Sequence, residues 1–277
     1  MLEIGKYNTL EVVKHVDFGI YLNSELGEIL MPIKYVPEGI EPGDELKVFI
    51  YKDSEDRLIA NSLTPHGIVG EFANLKVKQV NSFGAFMDWG LEKDLLVPHA
   101  EQHRPMQEGQ NYIVRIVLDP KTERIIGISK LSPFLSKNIE ELEPGLSVDL
   151  LIYEITDLGY MALINEKFRG ILYKNEVFQS VAVGDKLIGY IKKLREDGKI
   201  DLTLKKFGYK EIDDAKEIIY EKLISNKGFL NFSDSSSPEE IKLNFNMSKK
   251  NFKKAIGTLY KEGRISLEVN SIRINKL

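Results

Sequence analysis

Cysteine is missing from the 277-residue chain, tryptophan occurs once and histidine four times. Without thiols there are no disulfides and no thiolate metal sites, which suits a reducing compartment. Neither a Walker phosphate loop nor a dinucleotide fingerprint is present, and so few histidines leave little material for a catalytic constellation. We therefore expect no enzymatic activity, no cofactor and no small-molecule substrate. His99, Glu101 and His103 lie close together, but no further His or Cys follows at ligand spacing, so no metal site is expected. Long uncharged apolar runs are absent too, and the opening MLEIGKYNTLEVVKHVD lacks a basic stretch followed by an apolar one. Neither a membrane span nor a secretion signal is expected, and the expected location is the cytoplasm.

The net charge of −4 argues against a uniformly basic nucleic-acid binder, yet the charge is unevenly spread. Lys plus Arg against Asp plus Glu run 6 to 12 over residues 1–65 and 9 to 11 over 66–143, then 11 to 9 over 144–210 and 12 to 10 over 211–277. The first half is thus −8 and the second +4. Phosphate attraction follows local potential, so unless the imbalance is mere scatter of surface charge, the electrostatic grip belongs to the C-terminal half.

Three pairs recur: Phe18-Gly19, Phe83-Gly84 and Leu158-Gly159. Each is followed 25 or 26 residues later by a Gly beside a polar residue, Gly43-Asp44, Gly109-Gln110 and Gly184-Asp185. An apolar strand, a charged turn and another strand follow in every case: LKVFIYKDSEDRLIANS, YIVRIVLDPKTERIIGIS and LIGYIKKLREDGKIDLTL. Markers that hold their spacing in three copies imply three homologous modules of roughly 65 to 75 residues, built of short strands and Gly, Asp and Pro turns. Five such strands fit a small closed barrel of the OB type. The modules are placed at residues 1–65, 66–143 and 144–210, the second ending in a polar linker from Ser132 to Glu143 that is open to a helical form.

The most legible copy is KVKQVNSFGAFMDWGLEKDLLVPHAE, Lys76 to Glu101. Gly84 permits a bend or a close backbone approach. Phe83 and Phe86 are either core or a flat platform on which unpaired bases stack; recurrence, with Phe18 and Tyr21 at the matching places, favours the platform. Trp89 either extends that platform or covers the barrel end. Acidity from Glu38 to Glu45 and from Asp53 to Asp56 should repel phosphate, so the first module is expected to pack against or bind a protein.

From Glu211 the pattern turns helical. Ile212, Ala215, Ile218, Ile219 and Leu223 form an apolar stripe. Ser237 caps a second helix with Pro238 in its first turn. Ser248 caps a third, which Gly263 ends. ISLEV and IRINK form a hairpin turning at Asn270 and Ser271, completing a winged helix over 211–277. The last helix presents Lys249, Lys250, Lys253 and Lys254 while Phe252, Ile256 and Leu259 face inward; the lysines are a phosphate cradle or a solvated face. Few reading residues accompany them, so sequence-specific duplex recognition is not expected. The fold class is multidomain and mainly β: three OB-type barrels in tandem plus an α+β winged helix.

The order of apolar strand, FGAF, a strand ending near Pro or His, a Gly-polar pair and a charged hairpin resembles the ribosomal protein S-one type of OB fold. Three such repeats before a winged helix are similar to the conserved virulence factor B family of Gram-positive bacteria, regarded as RNA-binding regulators. The resemblance implies a base-stacking face made of two aromatics, an aromatic or His ending the next strand, and a basic residue after the last hairpin. By position these become Phe83, Phe86 and Arg124, with Pro98 where many relatives have His, and His99 turned to the other face. In the third module Leu158 and Met161 replace the aromatics, Tyr173 takes the family's His position, Lys199 matches Arg124, and Arg195 stands where relatives often have Asp. Tyr160 and Phe168 are further candidate rings there. Arg169, Lys174, Lys192, Lys193, Lys205 and Lys206 gather beside them, so this module should bind through phosphates more than bases.

Together these readings predict a binder of single-stranded RNA that regulates gene expression, after transcription or in translation. One alternative is a DNA-binding transcription factor led by the winged helix. Another is a scaffold that docks on the ribosome or RNA polymerase through its acidic first barrel.

Overall fold

Short strands with alternating burial close on themselves three times. The computed structural model describes residues 1–205 and 210–275, and the side chains of all of these except 210–214. Lys206 and the Ile212 side chain lie outside the described residues. The first barrel comprises β1 (Tyr7–Val16), β2 (Gly19–Leu22), β3 (Ile29–Pro32), β4 (Glu45–Lys52) and β5 (Leu58–Asn61), closed in the order β1-β2-β3-β5-β4. The second repeats that order with β6 (Phe72–Val80), β7 (Gly84–Asp88), β8 (Leu95–Pro98), β9 (Asn111–Leu118) and β10 (Ile125–Ile128). The third does so with β11 (Ser147–Ile155), β12 (Gly159–Ile164), β13 (Phe168–Tyr173), β14 (Lys186–Leu194) and β15 (Ile200–Thr203). In each, the third and fifth strands pair in parallel and the other neighbours antiparallel, the arrangement of an OB barrel.

Both repeated glycine markers have a backbone cause. A Cβ built on Gly19, Gly84 or Gly159 would sit 2.1, 2.2 or 2.1 Å from the carbonyl oxygen of Met31, Val97 or Leu172 on the next strand. Only a residue without a side chain lets those strands come so close. The second marker faces a β-bulge. The first strands shift register just after the buried residues Val12, Val77 and Ile152. Val77 accepts from Gly109 N–H at 2.8 Å and donates to Gln110 at 2.9 Å. Val12 does the same with Gly43 and Asp44, and Ile152 with Gly184 and Asp185. Gly43, Gly109 and Gly184 take φ of 98°, 79° and 96°, which side chains disfavour.

The chain forms two compact units, Met1–Leu135 and Ser136–Leu277. In the first unit β4 is buried on both faces. Val48 and Ile50 fill their own barrel, while Phe49 and Tyr51 join the core of the second. Trp89, 3 % exposed, meets Phe49 edge to face with ring centroids 5.7 Å apart, and its indole N–H donates to Gly67 O at 2.7 Å. Of its two expected roles it takes neither fully: it seals the junction between the first two barrels.

The segment Ser132–Glu143 holds a three-residue turn, Ser132–Phe134, in place of a helix. Side chains capture the backbone donors a helix would need: Asn138 N–H donates to Ser136 Oγ and Glu140 N–H to Asn138 Oδ1. Leu142 packs into the core of the third barrel. The winged helix follows with α1 (Lys210–Ser225), β16 (Phe229–Leu230), α2 (Pro238–Phe245), α3 (Lys249–Lys261), β17 (Ile265–Leu267) and β18 (Ile272–Ile274). Ser237 and Glu240 make a reciprocal capping box on α2, and Ser248 caps α3 through Asn251 N–H. Ala215, Ile219, Leu223, Phe252, Ile256 and Leu259 form the shared core, whereas Ile218 of the expected stripe is exposed.

The two glycine classes should differ in cost. Gly84→Ala forces a clash with fixed backbone and is expected to destabilise by more than about 2 kcal/mol. Gly109→Ala meets no neighbour within 4 Å and should cost about 1 kcal/mol from its left-handed φ alone. Urea unfolding followed by the fluorescence of Trp89, the sole tryptophan, measures both; equal midpoints would show the carbonyl contact to be unimportant.

Candidate nucleic-acid interface

Where β1 turns into β2, and at the matching turns of the other barrels, a large apolar side chain faces solvent. Phe18 is 56 % exposed, Phe83 70 % and Leu158 71 %. The main chain fixes each one. Phe83 N–H donates to Asn81 Oδ1 at 2.8 Å, and its carbonyl accepts from His99 N–H at 3.4 Å. The carbonyls of Phe18 and Leu158 accept from Ile33 and Lys174 in the same way. Tyr21, Phe86 and Met161 lie half-buried three residues on. In the first barrel Phe18 and Tyr21 stand edge to face at 6.4 Å, and Lys14 lies 4.9 Å over the Tyr21 ring while pairing with Glu28.

In the second barrel Phe83, Phe86 and Arg124 come together around a cavity of about 380 Å³, whose other wall is Tyr51 and Lys52 of the first barrel. Arg124 is already engaged: its Nε donates to Asp56 Oδ1 at 2.9 Å and its Nη2 to Oδ2. That guanidinium holds the Asp56 carboxyl below the usual carboxylate range. Lys93, which also lines the cavity, donates to the carbonyls of Asp53 and Lys52 at 2.7 and 3.1 Å. Burial pulls its ammonium below the ordinary lysine value, against the opposing pull of Asp56. Pro98 faces Gly84 in register just as Tyr173 faces Gly159. His99 turns away to bond Asn81 O through Nε2 at 2.9 Å.

The third barrel builds a different face. Arg195 donates from Nε to the nearly buried Asp201 and from Nη2 to the Tyr173 hydroxyl, which itself donates to Asp201 at 3.2 Å. Burial, ahead of the Asp201 charge, pushes the Tyr173 hydroxyl above its ordinary pKa. Lys199 pairs with Asp197 at 2.8 Å and Lys192 with Glu176, while Lys193 is exposed. Lys205 and, from α2, Lys242 lie 4.5 and 5.2 Å over the Phe178 ring, so Phe178 links the barrel to the winged helix. Nothing in the repeat pattern flagged that ring. Tyr160 packs against the barrel core. Phe168 is a correction: it is 1 % exposed, because alternation along β13 turns it inward with Gly170 and Leu172. On α3, Lys250 and Lys254 face solvent, whereas Lys253 lies 3.4 Å from Asp234 and Lys249 donates to Ser235 O at 3.5 Å.

A family model described as an S1 domain matches residues 4–62, and one described as a CvfB-like winged helix domain matches 217–274. Conserved virulence factor B of Staphylococcus aureus (strain N315) is 27 % identical over 253 residues, covering 86 % of this chain and 81 % of its own. A Bacillus subtilis (strain 168) protein named "Uncharacterized protein YitL" is 30 % identical over 280 residues, covering 95 % and 91 %. The chain belongs to the conserved virulence factor B family. A crystal structure from Streptococcus pneumoniae, described as a multidomain protein with nucleic acid binding domains, aligns over 98 % of both chains at 22 % identity with a TM-score of 0.45. The S1 match falls on the first barrel, and the other two share its strand order. Neither matched domain description names an enzyme.

Phe83 contributes little to the core, so Phe83→Ala should move the unfolding free energy by less than about 0.5 kcal/mol. Phe49→Ala, at a fully buried ring, should cost about 3 to 5 kcal/mol. Comparable losses in urea titration would place Phe83 in the core.

Proposed function

We propose that this protein binds single-stranded RNA and regulates gene expression through messenger stability or translation. The observation that carries the reading is Phe83, a ring mostly open to solvent and held there by its own backbone, with Phe86 and Arg124 on the same cavity. Exposed rings beside a cation suit unpaired bases, whose faces are accessible only in single strands. Membership of the conserved virulence factor B family supports the regulatory part. The third barrel and the winged helix supply the longer-range attraction: Lys193, Lys250 and Lys254 are exposed and make no ion pair among the described residues. Such phosphate contacts give affinity with little sequence preference.

A second reading, duplex DNA held by α3, is favoured by the capped helix that presents Lys250 and Lys254. Fluorescence anisotropy of the full chain with labelled single-stranded RNA and duplex DNA of equal length separates the two. RNA should bind more tightly. Phe83→Ala with Phe86→Ala should weaken it by about 1 to 3 kcal/mol per lost stack. Lys250→Gln with Lys254→Gln should flatten the log-affinity against log-salt slope by about 0.7 per phosphate contact. Tighter duplex binding, or RNA affinity untouched by the double Phe variant, would overturn the reading.

A further inference from the structure

Two acidic residues sit at equivalent places in the first two barrels, in the hairpins between the fourth and fifth strands, one residue before the basic position: Asp56 before Arg57 and Glu123 before Arg124. Both adopt left-handed backbone, φ 61° and 52°, where the third barrel has Gly198 at φ 75°. A non-glycine residue in this conformation invites a functional explanation. The two carboxylates reach across the junction in opposite directions. Asp56 takes Arg124 of the second barrel through two parallel N–H bonds, and Glu123 takes Lys52 of the first at 3.0 Å. Arg124 and Lys52 both line the cavity that also exposes Phe83 and Phe86. A carboxylate gripping a guanidinium in a fork is the geometry in which a guanidinium takes a phosphate.

We infer that this cavity is a nucleotide pocket shared by two barrels and closed by its own anionic plug. An unpaired base of an RNA strand lies against Phe83 and Phe86, with Tyr51 as the facing wall, and its phosphate replaces Asp56 on Arg124. The acidic first barrel is then half of the pocket and a competitor for it. Apolar walls and a rim on which Lys52, Lys93 and Arg124 outnumber the carboxylate of Asp94 match a flat base and its phosphate, and Asp56, bonded to Arg124 at the rim, marks the phosphate position. Binding requires an exchange of anions, so strands bearing few phosphates should enter poorly. This inference rests on the proposed RNA reading.

The test uses the full chain and a fluorescein-labelled oligouridylate, with anisotropy for affinity and Trp89 emission for local occupancy, since Trp89 lines the cavity and is the sole tryptophan. Asp56→Asn keeps the shape and tolerates a left-handed φ while freeing Arg124. It should tighten binding about two- to fivefold, a range set by the small worth of an exposed ion pair. It should also steepen the log-affinity against log-salt slope, by up to about 0.7, because salt no longer weakens an internal pair that competes with the phosphate. Adding Arg124→Gln should remove both gains, and Trp89 emission should saturate together with anisotropy. Unchanged or weaker binding by Asp56→Asn with an unshifted melting temperature would overturn the plug. Anisotropy that saturates while Trp89 emission stays constant would overturn the pocket. If Phe83→Ala with Phe86→Ala still weakens RNA binding in either case, the RNA reading stands and only this inference falls. No binding by the unmodified chain overturns both.

Discussion

A carbonyl oxygen occupies the place of a side chain at the start of the second strand in every barrel, and the exposed face depends on it. With Met31, Val97 and Leu172 pressed against Gly19, Gly84 and Gly159, the chain turns within one residue, and the residue before each glycine is bonded through its own carbonyl. The barrel interior is already filled by Ile20 and Ala85, which follow the first two glycines and are fully buried. The side chain just ahead of the glycine is left pointing outward. Exposure of Phe18, Phe83 and Leu158 is therefore a product of strand closure. Exposed large apolar groups at one structural place in three copies are informative in a way that scattered ones are not.

The second constraint is the two-faced strand β4. Alternation normally buries one face of a barrel strand and wets the other. Here Phe49 and Tyr51 alternate with Val48 and Ile50, and both sets are buried, because the outer set enters the core of the second barrel. That packing draws the β4–β5 hairpin over the neighbouring barrel. It accounts for the ion pairs Arg124–Asp56 and Lys52–Glu123 and for Lys93 bonding to carbonyls of the other module. The apolar contact sets the geometry, and the charges report it. Exposed pairs of this kind add little stability individually, whereas burial of Phe49 and Trp89 is the larger stabilising contribution.

Backbone demands were legible in the sequence because they act within a module and recur. A glycine required by a carbonyl or by a left-handed φ leaves the same mark three times, so barrel count and marker spacing could be read from the repeats, while the grouping of Phe83, Phe86 and Arg124 came from the family resemblance. Caps were equally open, since Ser237 and Ser248 act within four residues of themselves. What stayed hidden was contact between modules. The acidic stretch from Asp53 to Asp56 reads as phosphate-repelling in sequence, yet Asp56 is bonded to the very arginine that the family resemblance singled out. Trp89 looked like part of a platform or a lid because nothing in its own module names Phe49 as its partner. Phe168 fails for a simpler reason: as a ring on a strand it has one chance in two of facing inward, and the alternation on β13 places it there.

The charge split between the halves also takes on a structural meaning. In the first unit the carboxylates of Glu28, Asp53, Asp56, Glu92 and Glu123 are matched to Lys14, Arg57, Arg124, Lys34 and Lys52, so the acidic excess is partly spent on internal pairing. The third barrel departs from its sisters at the equivalent hairpin. In the first two barrels Asp53 and Asp119 accept backbone N–H bonds that shape the turn, whereas in the third Arg195 stands at their position and reaches back to Asp201 and Tyr173. Gly198 replaces the left-handed carboxylate, which removes both the strain and the resident anion. Counted from Asp53, Asp119 and Arg195 to the basic residue that closes each hairpin, the formal charges are −2, 0 and 0, so the third hairpin is less acidic than the first and equal to the second. Among the described ion pairs, the cations Arg195 and Lys199 of that hairpin meet Asp201 and Asp197 of their own barrel, whereas Arg124 meets Asp56 of the neighbouring one.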